Sequence, residues 1–156
     1  MNKIKAGDKA PIFSLKNQDN NDISLKDFAN KTIILYFYPK DMTKGCTIEN
    51  KEFSELIEEF DKLNAVVIGI SPDSIESHQK FIIKENLKQI LLSDNTKEIA
   101  NAYGVWVEKS MYGRKYMGIL RSTFIIKNGI IKEALYNVKS SAHAKEILQK
   151  LKNKDS

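Results

Sequence analysis

Short apolar runs that lack polar alternation are what most restrict the folds open to this chain. TIILYFY (Thr32 to Tyr38), AVVIGIS (Ala65 to Ser71), Ile90 to Leu92 and STFII (Ser122 to Ile126) are rich in β-branched and aromatic residues, and polar or turn residues follow each run. Successive side chains of a strand point to opposite faces of its sheet, so a strand that is apolar at consecutive positions must be covered on both sides. These runs therefore read as central strands flanked by other elements.

The flanking elements lie between the runs. From Thr47 to Leu63, apolar residues Ile48, Phe53, Leu56, Ile57, Phe60 and Leu63 recur at three- and four-residue steps with Glu and Lys between them. Similar patterns mark helices at Ile75 to Asn86, with Asp73 as a cap, at Thr96 to Tyr103, and from about Ala142 to Leu151 behind a Ser141 N-cap. Strand and helix in alternation predict a mainly parallel sheet. Late in the chain Asn128-Gly129 separates two apolar runs, the strongest short hairpin signal, so Ser122 to Ile126 and Ile130 to Tyr136 are expected to pair antiparallel. The result is an α/β, thioredoxin-like plan: a mixed central sheet with helices on both faces, extended at the N-terminus by a β-hairpin over Phe13 to Leu25. The length of 156 residues suits a single domain, 1–156, with a core that needs no disulfide staple.

Charge excludes some functions. Lys and Arg exceed Asp and Glu by 25 to 20, but the surplus of +5 is spread along the chain rather than gathered in a stripe with stacking aromatics, so no nucleic-acid partner is expected. No apolar run approaches a signal core or a membrane span, and the expectation is a cytoplasmic protein without membrane contact.

The chain has one cysteine, Cys46, within YPKDMTKGCTI. The strand TIILYFY ends at Pro39 and the next helix starts around Cys46 or Thr47, which puts the thiol in a helix first turn at the carboxyl end of a buried strand. Unpaired N–H groups and the positive end of the helix dipole favour an anion there, so a thiolate is stabilised. A buried, inert thiol is the bland alternative, against which stand polar, turn-forming neighbours.

The spacing Pro39-x-x-x-Thr43-x-x-Cys46 resembles the peroxiredoxin active-site motif. GISPDSIESHQKF, LLSDNTKEIANAYGVW and YMGILRSTFIIKNG continue the likeness, in order, to the bacterioferritin-comigratory (PrxQ) branch of that family, from about Ala6 to Leu151. The resemblance implies a thiol-dependent peroxidase acting on hydrogen peroxide and organic hydroperoxides, without metal, haem or flavin. It implies that Cys46 attacks the peroxide, that the Thr43 hydroxyl hydrogen-bonds it, that Arg121 stabilises thiolate and transition state, and that Pro39 shields the site. Arg121 is one of two arginines among many lysines, and its rigid fork of donors is something lysine cannot imitate.

One departure matters. Most PrxQ relatives carry a resolving cysteine, either five residues after the first, where this chain has Lys51, or farther along, where this chain has no other cysteine. An internal disulfide is impossible, so a sulfenic acid at Cys46 needs an external thiol. Thioredoxin, glutaredoxin or glutathione are the candidates, and the branch implies a monomer over a dimer. The competing function is a redox-inactive thioredoxin-like binding or chaperone module. Other residues are expected to be peripheral: Glu49 in an exposed helical pair rather than on Arg121, His78 and His143 on exposed helix surfaces, and Trp106, with Tyr112 and Met117, in a loop over the site or in a peripheral cluster.

Overall fold

The computed structural model describes residues 3–154; the outermost positions of the expected domain, 1–2 and 155–156, lie outside it. The described residues form nine strands and five α-helices. A hairpin of β1 (Ser14–Asn17) and β2 (Asp22–Ser24) leads through a 3-10 turn, Leu25–Phe28, into β3 (Thr32–Phe37). Then come α1 (Lys44–Glu55), α2 (Ile57–Lys62), β4 (Ala65–Ser71), α3 (Ile75–Glu85), β5 (Ile90–Ser93) and α4 (Glu98–Ala102). The chain closes with β6 (Trp106–Met111), β7 (Arg114–Ile119), β8 (Ser122–Lys127), β9 (Ile130–Leu135) and α5 (His143–Lys154).

Seven strands form one sheet in the order β2-β1-β5-β4-β3-β8-β9. β3, β4 and β5 run parallel, β8 joins β3 antiparallel, and β1 closes the other side antiparallel to β5. This is the expected mixed sheet of the thioredoxin-like fold, with the N-terminal hairpin on its flank. The Asn-Gly hairpin is also present: Lys127 pairs with Ile130, and both turn residues take positive φ, 54° at Asn128 and 75° at Gly129. That is the geometry a tight two-residue hairpin demands.

The β3 run shows why the strand is apolar throughout. Ile33, Leu35 and Phe37 enter one core with Ile68, Ile70, Phe124, Ile99 and Tyr103, under α4 and the N-terminal segment. Ile34, Tyr36 and Tyr38 enter the other, with Phe53, Phe60, Phe81 and Ile147 from α1, α2, α3 and α5. In β4, Gly69 leaves room for Tyr36: a Cβ there would lie 2.6 Å from the Tyr36 Cζ, whose ring stacks on Phe53 at 4.4 Å between centroids.

Three local expectations differ from what is found. The helix expected over Thr47 to Leu63 is two helices, divided at Leu56, whose N–H is shared by the Glu52 and Phe53 carbonyls as the first helix tightens and ends. α3 is capped by Ser74, which accepts from the Ser77 N–H, and not by Asp73. α5 starts at His143, one residue later than expected, after Ala142 at φ 66°. The unforeseen element is the two-stranded ribbon β6-β7, which stands apart from the main sheet. Its residues are exposed or half-covered except for Ile119 at the end of β7, so no buried run announces it.

Candidate active site

Cys46 sits in the first turn of α1, at the carboxyl end of β3, with 1% of its surface exposed. Thr43 is the N-cap residue, and its carbonyl takes the first helical hydrogen bond, from the Thr47 N–H. The Thr43 hydroxyl donates to the Lys40 carbonyl at 2.8 Å, closing the turn that follows Pro39 rather than capping the helix. Pro39 is half-buried at the head of this loop.

Arg121 reaches the site from the short link between β7 and β8. Its Nη2 donates to Cys46 Sγ at 3.4 Å and its Nη1 to Glu49 Oε1 at 2.5 Å. Gly45 permits the approach, since a Cβ there would meet the Arg121 Nη2 at 3.4 Å. One guanidinium thus spans Cys46 and Glu49, which stand one helical turn apart on the same face of α1. Burial works against the Arg121 cation, but Glu49 and Cys46 outweigh it and its pKa is raised.

Glu49 corrects an expectation. It is fully buried, not an exposed helical pair, and its carboxylate faces Arg121. Desolvation pushes its carboxyl up to about 7, against the opposing pull of the Arg121 charge and hydrogen bond. Its second oxygen, Oε2, has no hydrogen-bond partner.

Further side chains were not singled out by sequence. Asn50 donates to the Cys46 carbonyl at 2.8 Å and accepts from the Tyr36 hydroxyl, while Gln89 donates to both Tyr36 and Asn50. This buried network ties the first turn of α1 to β3. Lys109, on β6, lays its stem across Gly118, whose absent Cβ would lie 3.2 Å from the Lys109 Cδ. Burial and the Arg121 charge lower its pKa, and the charge of Cys46 raises it. The only hint in sequence was position: Glu49 and Asn50 follow Cys46 by three and four residues, one helical turn.

Both histidines are buried, contrary to expectation, at 0% exposure for His78 and 3% for His143. His143 Nε2 lies 2.7 Å from the Thr123 Oγ1, and burial pushes its pKa down to about 4. His78 meets Asp41, which with Asp73 forms the one group of potential metal donors among the described residues. The His78 Nδ1 and Asp41 Oδ2 face each other, and the Asp73 Oδ2 accepts from the Asp41 N–H and the Ser71 hydroxyl. Trp106, the first residue of β6, packs against the core under the Lys97 ammonium at 5.7 Å, which makes it part of a peripheral cluster; Tyr112 and Met117 are exposed on the ribbon. Lys51 pairs with Glu85 of α3 at 3.8 Å.

The sequence and the thioredoxin-like fold of this chain have counterparts in known proteins. Residues 6–134 match the AhpC/TSA family. A putative peroxiredoxin Bcp of Helicobacter pylori strain J99 is 51% identical over 152 residues, 97% of this chain and 100% of its own. The crystal structure of a PrxQ mutant from Xylella fastidiosa superposes with a TM-score of 0.94 at 37% identity, covering 100% of both chains. A Xanthomonas campestris bacterioferritin comigratory protein, described for its alkyl peroxide reduction activity, gives 0.87 at 36%, covering 92% of each chain. The chain belongs to the AhpC/TSA family and is a peroxiredoxin, a thiol peroxidase. Within that family it is a member of the Bcp/PrxQ branch, and it lacks the resolving cysteine, having Cys46 alone.

Proposed function

We propose that Cys46 is the peroxide-attacking nucleophile, with Thr43, Arg121 and Pro39 as its partners. The observation that carries this is the 3.4 Å contact from the Arg121 Nη2 to the Cys46 Sγ at the start of α1. The fixed cation and the helix N-terminus favour negative charge at the sulfur as it reacts. The thiolate attacks the nearer oxygen of ROOH in line with the O–O bond; a sulfur–oxygen bond forms, the O–O bond breaks, and the electron pair leaves with RO⁻, which takes up a proton as ROH. Cysteine is oxidised to sulfenic acid and the peroxide is reduced. Arg121 donors are aimed where charge develops on the oxygens. The Thr43 hydroxyl already gives its hydrogen to Lys40, so its oxygen is left to accept the peroxide O–H. Pro39 supplies an N–H-free, half-buried wall that limits water.

Organic hydroperoxides fall within the proposed substrate range, supported by the alkyl peroxide activity named for the Xanthomonas relative. Regeneration uses an external thiol: R′SH condenses with the sulfenic acid to give Cys46–S–SR′ and water, and a second R′SH releases the Cys46 thiol and R′SSR′. Thioredoxin, glutaredoxin and glutathione are the reductants to test, for a single-domain, cytoplasmic monomer. No described helix is long and apolar enough to cross a membrane.

The test mixes reduced protein with limiting hydrogen peroxide, traps sulfenic acid, then adds each reductant in turn. One sulfenate per chain is expected from the wild type and none from Cys46→Ser. Peroxide consumption by Cys46→Ser at the wild-type rate would refute the assignment, and a wild type that forms no sulfenate would favour a binding module.

A further inference from the structure

Asp41 lies between Pro39 and Thr43, and its carboxylate is buried and saturated. Its Oδ1 accepts from the Tyr38 hydroxyl at 2.5 Å; its Oδ2 accepts from the Ser77 hydroxyl at 2.8 Å and faces the His78 Nδ1 at 2.6 Å. The Asp41 N–H donates to the Asp73 Oδ2 at 2.7 Å, and that oxygen also accepts from Ser71. His78 Nε2 is 3.0 Å from the Leu92 carbonyl, which can only accept, so Nε2 carries a hydrogen. A further proton then lies between Nδ1 and Asp41. One residue on, Met42 is held at φ 65°, with 43% of its surface exposed. A non-glycine residue in the left-handed region costs about 1–2 kcal/mol, which its surroundings must offset.

We propose that Asp41 and His78 are a positioning pair that keeps the Met42 turn in its left-handed form and thereby places the Thr43 hydroxyl for the peroxide step. The proposal rests on the reading of Thr43 and Cys46 given above. His78 stands on α3, 37 residues from Asp41, and couples the site loop to an element that contributes no group to the chemistry. With the pair intact, Asp41 is fixed on one side of Met42 and α1 on the other, and the Thr43 hydroxyl bonds to Lys40 across the turn. When the pair is broken, Met42 relaxes toward negative φ and that bond opens. The thiolate keeps Arg121 and the helix start, so its intrinsic nucleophilicity persists while its attack on peroxide slows.

Two substitutions of His78 separate positioning from packing. The amide nitrogen of Asn overlays the imidazole Nδ1 and keeps a donor on Asp41, whereas that of Gln overlays Nε2 and keeps only the Leu92 carbonyl. Sulfenate formation with hydrogen peroxide is measured beside alkylation of Cys46 by iodoacetamide, which does not use Thr43. His78→Gln is expected to slow the peroxide step about 100-fold, the loss that a misplacement of order 1 Å produces, with alkylation unchanged, and His78→Asn is expected to restore most of the peroxide rate. Equal losses in the two variants, or a parallel fall in both reactions, would overturn the proposal. Ser77→Ala removes one Asp41 donor without opening a cavity and covers a His78→Gln protein that does not fold. It should cut the peroxide rate about tenfold, in proportion to one hydrogen bond to a charged group, and an unchanged rate in it would overturn the proposal as well. A wild-type protein that forms no Cys46 sulfenate refutes the underlying reading instead, and that outcome is visible before any His78 variant is made.

Discussion

Replacing Glu49 by Gln should change how stability depends on pH, and the structure sets both sign and size. The Glu49 carboxyl moves from 4.5 to about 7 on folding, because burial outweighs the attraction of Arg121. At about 1.4 kcal/mol per pKa unit, this difference amounts to about 3 kcal/mol. A carboxyl raised in the folded state favours folding fully below pH 4.5, and that contribution is lost as pH rises through 7. His143 works in the opposite sense. Its value falls from 6.5 to about 4 because burial disfavours the imidazolium, so its contribution is full above pH 6.5 and is lost as pH falls toward 4. In the wild type the two trends largely cancel between pH 4.5 and 6.5. In Glu49→Gln the His143 trend stands alone, and stability should rise by about 2 kcal/mol across that interval. Urea unfolding followed by fluorescence at half-unit steps from pH 4 to 8 measures it, with constant m-values confirming that the same surface unfolds. Wild-type and Glu49→Gln curves that run parallel from pH 4.5 to 7.5 would refute the reasoning.

Arg121→Lys should slow sulfenate formation by about 10²–10³-fold, because an ammonium cannot span Cys46 and Glu49 as the guanidinium fork does; stopped-flow peroxide kinetics checks this. Lys109→Met removes an ammonium held beside Arg121 and electrostatically coupled to Cys46. It should slow reduction of the sulfenate by anionic glutathione more than by neutral 2-mercaptoethanol, and the gap between the two thiols should shrink as salt is raised. Gly69→Ala should destabilise by about 1–3 kcal/mol as an overpacked core does, since the new Cβ meets the Tyr36 ring at 2.6 Å; denaturant midpoints report it.

Periodicity and turn chemistry are local properties, and they made much of the fold legible. β3, β4, β5 and β8 lie where runs of β-branched and aromatic residues stand, because a strand buried on both faces must be apolar at every position. Asn128-Gly129 specified its hairpin because few other pairs accept positive φ twice in succession. The β6-β7 ribbon stayed hidden because its strands carry no buried run and reach the core only at their base, through Trp106 and Ile119.

Cys46, Thr43 and Pro39 were legible for a related reason: they lie within eight residues of one another, and their spacing carries over unchanged into the loop and the first turn of α1. Arg121 entered through a resemblance spread over the whole chain, and the fold alone brought it to the sulfur across 75 residues of sequence. Everything that decides the environment of that contact came from tertiary structure. Glu49 and both histidines look like surface residues because charge and polarity usually mean exposure. Here an arginine, an aspartate and a threonine supplied by distant segments pair with them, and a partner supplied from far along the chain leaves no local pattern to read.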